Sequence, residues 1–222
     1  RAGAGGDHRL GLGDRVRHRL LAEHVPPAPE RRDEVLKAAV AALERNDANR
    51  LMRDKKTYED HNSEFRSKLD KLLKPSDIDA SKYGLFFASA GHAALIDYPD
   101  AKGLQAIAAK IWEDGGIVSA VCHGGAILPG IKDKSGKSII AGRKVTGFTD
   151  RGEKELGALD EIKSWNRPTI ESAAAGAGAE YVAPDGPWDA FQVTDGRLVT
   201  GVNPQSAVVT AEAAVKDFDS LQ

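Results

Sequence analysis

The sequence predicts an α/β domain built on a parallel sheet, and three features point there. Tyr83-Gly84-Leu85-Phe86-Phe87-Ala88 is a short continuous apolar run, as expected of a strand covered on both faces, and Ile117-Val118-Ser119-Ala120-Val121 reads as a second buried strand. Between them Leu104 to Trp112 carries the apolar stripe of an amphipathic helix, closed by Gly115-Gly116. Strand, helix and strand at these lengths form a βαβ unit, which implies parallel pairing and a right-handed crossover.

The elements before this unit divide into two regimes. Residues 1–46 hold 8 arginines and one lysine, while residues 47–222 hold 7 arginines and 15 lysines. Within the first regime Pro26, Pro27 and Pro29 interrupt regular structure. Only Arg31 to Arg45 is helical in pattern, with Val35, Leu36, Ala39, Val40 and Leu43 on one face. Residues 1–46 therefore read as an atypical, poorly ordered arm with one helix, and 47–222 as the α/β domain. Asp54 to Leu73 reads as a polar helix, continuous or broken once, ended by Pro75. Ser89-Ala90-Gly91-His92 is a small-residue loop beyond the first strand.

After the second strand come an expected hairpin around Gly142 and helices near Glu153–Lys163 and Thr169–Ala175. A second hairpin joins Phe191-Gln192-Val193-Thr194 to Leu198-Val199-Thr200 through Asp195-Gly196, and a closing helix runs from Gln205 to Phe218. Composition narrows the function classes. A net charge of -2 gives no global attraction to nucleic acid or anionic membrane, and no apolar stretch approaches a bilayer span. One cysteine excludes an intrachain disulfide framework and a multi-thiolate zinc site, so a reducing, cytoplasmic setting is the simplest expectation, with the nucleus also open.

That cysteine sits in Ser119-Ala120-Val121-Cys122-His123-Gly124-Gly125-Ala126, where a buried strand runs straight into an expected helix. Small residues let the backbone double back there, and a helix N-terminus favours thiolate, which lowers the expected thiol pKa. A free cysteine is also a common small core residue, so position alone leaves catalysis and packing both open. Six histidines, His8, His18, His24, His61, His92 and His123, lie at or before His123. The base for such a thiol is therefore His123 itself or an upstream histidine, with His92 as a supporting candidate. Asp150 and Glu153 have the spacing of a helix cap box, and spacing does not choose between capping and orienting a histidine.

With these residues placed, Asp47 to Phe218 resembles the fungal heat-shock branch of the PfpI superfamily, the glutathione-independent glyoxalases of the glyoxalase III (D-lactate dehydratase) type. The matching stretches are Tyr58-Glu59-Asp60-His61-Asn62-Ser63-Glu64-Phe65, Phe86 to His92, Asp97-Tyr98-Pro99, Ala120 to Gly124, Thr146 to Asp150, Gly186-Pro187-Trp188-Asp189 and Asp195 to Pro204. The resemblance implies a flavodoxin-like parallel-sheet sandwich of the class I glutamine-amidotransferase kind. It implies a catalytic set of Cys122, His123 and Glu153, with oxyanion donors at the amides of Gly91 and His123, and no metal or other cofactor. Its implied substrate is a small 2-oxoaldehyde, with methylglyoxal converted to D-lactate through a cysteine hemithioacetal. A homodimer and unfolded protein clients are implied as partners.

Two departures stand out. Gly125 replaces the proline that usually follows Cys-His-Gly in the family. Residues 1–46 show neither of the family's N-terminal strands, and only Glu23 stands anywhere near the family's cysteine-bonding glutamate. A truncated, alternatively spliced or wrongly assembled gene product would account for this break. The alternatives to a glyoxalase are a stress holdase or protein deglycase and a catalytically impaired family member.

Overall fold

The computed structural model describes residues 20–21, 56, 58–69 and 72–221. Its main sheet has five strands. They are β1 (Leu20–Leu21), β2 (Leu85–Ala90), β3 (Ile117–Cys122), β6 (Gln192–Asp195) and β7 (Leu198–Gly201), in the order β1-β2-β3-β7-β6. The first four in that order pair in parallel, and β6 closes one edge antiparallel to β7. A second, two-stranded parallel ladder joins β4 (Lys144–Val145) to β5 (Glu180–Tyr181).

The βαβ unit forms where the sequence places it. Every residue of β3 is buried, Ser119 included, as an interior strand requires. β2 extends two residues past its apolar run, to Ala90, and pairs Ala90 with Cys122 in register. That register brings Gly91-His92 and His123 to the same carboxyl edge of the sheet. The intervening helix spans Lys102–Glu113 and buries Leu104, Ile107, Ala108, Ile111 and Trp112. The closing helix, Ala207–Asp219, packs on β3 and β7 and buries Thr210 and Ala214.

Several expectations are corrected. There is no hairpin at Gly142. Lys132 and Ser138 make an isolated antiparallel bridge, Gly142 lies in a turn, and β4 then finds its partner 36 residues on, in parallel. The single helix expected at Glu153–Lys163 is two, Asp150–Leu156 and Leu159–Ser164. Gly157 separates them with φ 70°, a left-handed conformation in which glycine has no Cβ penalty. Within the helix expected at Asp54 to Leu73, Lys56, Tyr58 and Glu59 are helical, a break follows at residues 60–63, and the helix resumes as Glu64–Leu69, while Pro75 opens a 3-10 turn rather than merely ending a helix. The hairpin turn falls at Gly196-Arg197, one residue later than expected, with Asp195 opposite Leu198.

In residues 1–46 the structure describes only Leu20 and Leu21, which pair with Leu85 and Phe86. Two residues are too few to show alternation, which is why no strand is visible there in the sequence. The helix expected at Arg31 to Arg45, Glu23 and the boundary at residue 46 lie outside the described residues. Among the described residues no helix is long and apolar enough to cross a membrane.

Candidate active site

Cys122 ends β3 with φ 59° and ψ -130°, a region that costs a side-chain-bearing residue about 1–3 kcal/mol. Strain of this kind is retained where the surrounding fold enforces it. Here β3 is held on both sides, and a 3-10 segment, His123–Gly130, leaves immediately on the other side of the turn. The expected helix is thus the tighter 3-10 form. Its first turn lies directly on β2, and a Cβ at Gly124 would be driven into the carbonyl oxygen of Ala88. Backbone cannot yield as a flexible side chain can. Gly124→Ala is therefore expected to lower unfolding stability by about 1–3 kcal/mol, read as a lower urea midpoint with an unchanged slope. A Cβ at Gly125 would meet only the Ile170 side chain, at 3.3 Å, so this position is less tightly constrained than Gly124.

A chain of short contacts starts at the thiol. Cys122 Sγ lies 3.3 Å from His123 Nδ1, and His123 Nε2 lies 2.7 Å from Glu153 Oε1. Glu153 Oε2 is 2.8 Å from His92 Nε2. An ionised carboxylate only accepts, so both Nε2 atoms carry hydrogen, and His123 Nδ1 is left with its lone pair facing the thiol. The structure thus brings together Cys122, His123, Glu153 and His92. Gly91, the other residue named from the resemblance, lies at the adjacent strand end, one position past the Ala90–Cys122 pair.

The capping ambiguity also resolves. The N-cap of Asp150–Leu156 is Thr149, whose Oγ1 accepts from the amide of Gly152 at 2.8 Å. Asp150 sits one residue inside the helix, and the Glu153 carboxylate is turned away from the helix end toward the two imidazoles. The Thr146–Thr149 segment that leads there is pinned by Thr146 N–H donating to Thr200 Oγ1 at 2.9 Å and by Tyr181 OH donating to the Gly147 carbonyl at 2.6 Å.

Burial sets the electrostatics. The Cys122 thiol is pushed up to about 12 by desolvation, with the Glu153 charge adding to the rise and a hydrogen bond from the His123 amide opposing it. This reverses the expected lowering, because the helix-end donors do not offset removal of the thiolate from water. His123 is held below its ordinary 6.5, first by burial and then by His92, against the pull of Glu153. For Glu153 burial favours the neutral acid, but the hydrogen bonds from His123 and His92 outweigh it and keep the carboxyl below its ordinary 4.5. At neutral pH the group is therefore a thiol, a neutral imidazole and a carboxylate.

Two aromatic residues of the site carry roles the sequence did not reveal. Phe148 stacks on His123, ring centroids 4.6 Å apart, and Trp188 meets Phe148 edge-on at 5.7 Å. Trp188 Nε1 is itself tied to Glu155 Oε2 at 2.8 Å. Both lie inside segments that match the family, yet single aromatics look like ordinary core in a sequence.

The ligand atoms of His92, His123 and Glu153 lie within 4.8 Å of one another, the compactness a metal ion needs. Each imidazole nitrogen facing the carboxylate is a donor to it, so an ion would have to displace both protons. A depression of about 360 Å³ lined by Trp112, Glu113, Asp133, Lys134, Ser135 and Arg197 lies at the start of β3, the far end of the strand from Cys122. Open α/β sheets bind ligands at the carboxyl ends of their strands, where the Cys122 group is.

No family model matches the chain. Individual proteins do. Over 167 residues it is 53% identical to Glyoxalase 3 of Candida albicans, covering 75% of this chain and 71% of that protein. It is 49% identical over 170 residues to the glutathione-independent glyoxalase HSP31 of Saccharomyces cerevisiae, covering 76% of this chain and 70% of the relative. The chain belongs to the family of glutathione-independent glyoxalases. The crystal structure of glyoxalase III from Candida albicans superposes with a TM-score of 0.69, over 75% of this chain and 70% of that one. As a member of the glyoxalase III type, the chain is an α/β enzyme, and its parallel sheet fits that fold.

Proposed function

We propose that this glyoxalase converts methylglyoxal and water to D-lactate without glutathione, using Cys122 as nucleophile, His123 as base and Glu153 to orient it. The observation that carries the reading is the unbroken line from Sγ through both His123 nitrogens to the Glu153 carboxylate.

Because Cys122 rests as a thiol, attack and deprotonation go together. Sγ bonds to the aldehyde carbon while His123 Nδ1 takes the thiol proton, and Glu153 stabilises the imidazolium that forms. The carbonyl electron pair moves to oxygen, where on this reading the amides of Gly91 and His123 stabilise it, and a proton completes the hemithioacetal. His123, neutral again, removes the hydrogen from that carbon to give an enediol, and the neighbouring carbon is reprotonated. The result is a lactoyl thioester on Cys122. Water cleaves the thioester, returning the thiol and releasing lactate, so one water is consumed and no redox partner is needed.

The reading is tested with purified chain and methylglyoxal in glutathione-free buffer, assaying both lactate stereoisomers, with a parallel run in D2O. D-lactate carrying solvent deuterium at carbon 2 is the expected product. Absence of D-lactate, or a strict requirement for glutathione, would sink the proposal. Product without solvent deuterium would mean that the hydrogen passes between the two carbons without exchange, by a shielded proton transfer or a hydride shift.

A further inference from the structure

Glu153 serves two imidazoles at once, one on each carboxylate oxygen, and the two differ in access to water. His123 is sealed, with 1% of its side chain exposed, whereas 28% of the His92 side chain is exposed. Their rings lie 4.0 Å apart, tilted by 39°. His92 is thus the member of the group that exchanges protons directly with solvent.

We infer that His92 is a positioning residue that sets the basicity of His123 through their shared carboxylate and so couples the reactivity of Cys122 to pH. The inference rests on the reading of Cys122 as the nucleophile. Neutral His92 donates one hydrogen bond to the ionised Oε2, holding the carboxylate in place and leaving most of its charge to stabilise the imidazolium forming at His123. Protonated His92 turns that bond into an ion pair and draws the carboxylate charge to itself. It also sets a second positive charge against the His123 ring. Both effects oppose proton transfer from the thiol. Among the described residues, the titratable groups facing His92 are Glu153, from the helix Asp150–Leu156, and His123, from the 3-10 segment. Phe148 meets His92 edge-on at 5.8 Å and brings no charge.

The single cysteine makes the test site-specific, since iodoacetamide alkylates one thiol in this chain. Alkylation rates from pH 5 to 9 are compared for the wild type, His92→Gln and His92→Ala. Glutamine can place an N–H where imidazole Nε2–H stands, but it does not titrate. The wild-type rate is expected to fall in acid more steeply than one protonation allows. His92→Gln should lose the extra step, keeping about fivefold more of its pH 8 rate at pH 5.5 than the wild type does. His92→Ala should be slower by about 10-fold across the range, with glutamine recovering most of that loss. A wild-type pH profile in His92→Gln, or wild-type rates in His92→Ala, would overturn the inference. The D-lactate assay run alongside separates the two readings. A wild type that makes no D-lactate but alkylates in a His92-dependent way defeats the proposed reaction and leaves the coupling standing. Turnover with a His92-independent profile does the reverse.

Discussion

Replacing Cys122 with alanine is expected to reduce D-lactate formation by on the order of 10⁴-fold or more, to the background of a protein that still folds. The substitution removes the only thiol in the chain, and no other residue of the site carries a nucleophile at that turn. Its effect on stability should be small, because the strand pairing that enforces the turn does not involve Sγ. Equal urea midpoints with lost turnover therefore separate chemistry from folding. Cys122→Ser sharpens the test by keeping a hydroxyl beside His123 Nδ1. Serine is a poorer attacking group, so its rate should stay near the alanine level. Turnover by Cys122→Ala at the wild-type rate would end the case for a thiol mechanism. The wild-type thiol should also alkylate slowly at neutral pH with no reactive plateau in acid, because burial holds it up to about 12 rather than pairing it as a thiolate.

Glu153→Gln is expected to lower kcat by about 10³- to 10⁴-fold with a much smaller change in KM. Glutamine can accept from only one of the two imidazole N–H groups, and its own N–H faces the other donor. His123 relieves that clash by taking the other tautomer, which puts a hydrogen on Nδ1 toward Sγ and removes the base. The same variant carries a stability signature. Both His123 and Glu153 have folded pKa values below their ordinary 6.5 and 4.5, so the unfolded chain binds more protons at intermediate pH. Stability from these groups is then full above pH 6.5. The histidine part is lost as pH falls below 6.5, and the glutamate part as it falls below 4.5 toward the folded value. Urea midpoints at pH 7, 5.5 and 4 should show the second loss in the wild type and not in Glu153→Gln. A parallel decline in both proteins would mean that other carboxylates govern acid unfolding.

How far the sequence reaches is clearest at particular residues. β2 and β3 are legible because interior parallel strands need apolar side chains on both faces, and Leu85 to Ala88 supply them without interruption and Ile117 to Val121 with Ser119 as the one small polar residue. The turn at Cys122 is legible from the small residues after it. The role of Glu153 is not, because Asp150-x-x-Glu153 imitates a cap while Thr149, one residue earlier, makes the cap instead. Only the resemblance pointed to Glu153 as the histidine's partner. The direction of the thiol pKa is not legible, because a sequence shows a helix start but not how completely water is excluded from it. β4 and β5 escaped notice because two-residue strands have no period, and their pairing bridges 36 residues. His92 was visible as a strand-end histidine, but nothing in the chain signals that it shares a carboxylate with His123.

The position of β3 in the sheet has a consequence for biosynthesis. Its neighbour on one side, β2, is translated before it, but its neighbour on the other, β7, begins 80 residues after their first paired position, Val118 with Leu198. Cys122, His123 and Glu153 therefore all emerge before the strand that completes the sheet around them. At typical elongation rates of roughly 5–20 residues per second, the nascent chain spends about 4–16 s with one long edge of the thiol-bearing strand unpaired. During that interval the cysteine lacks the enclosure of the finished fold, so oxidation or premature alkylation of this thiol can begin on the ribosome, before the sheet closes around it.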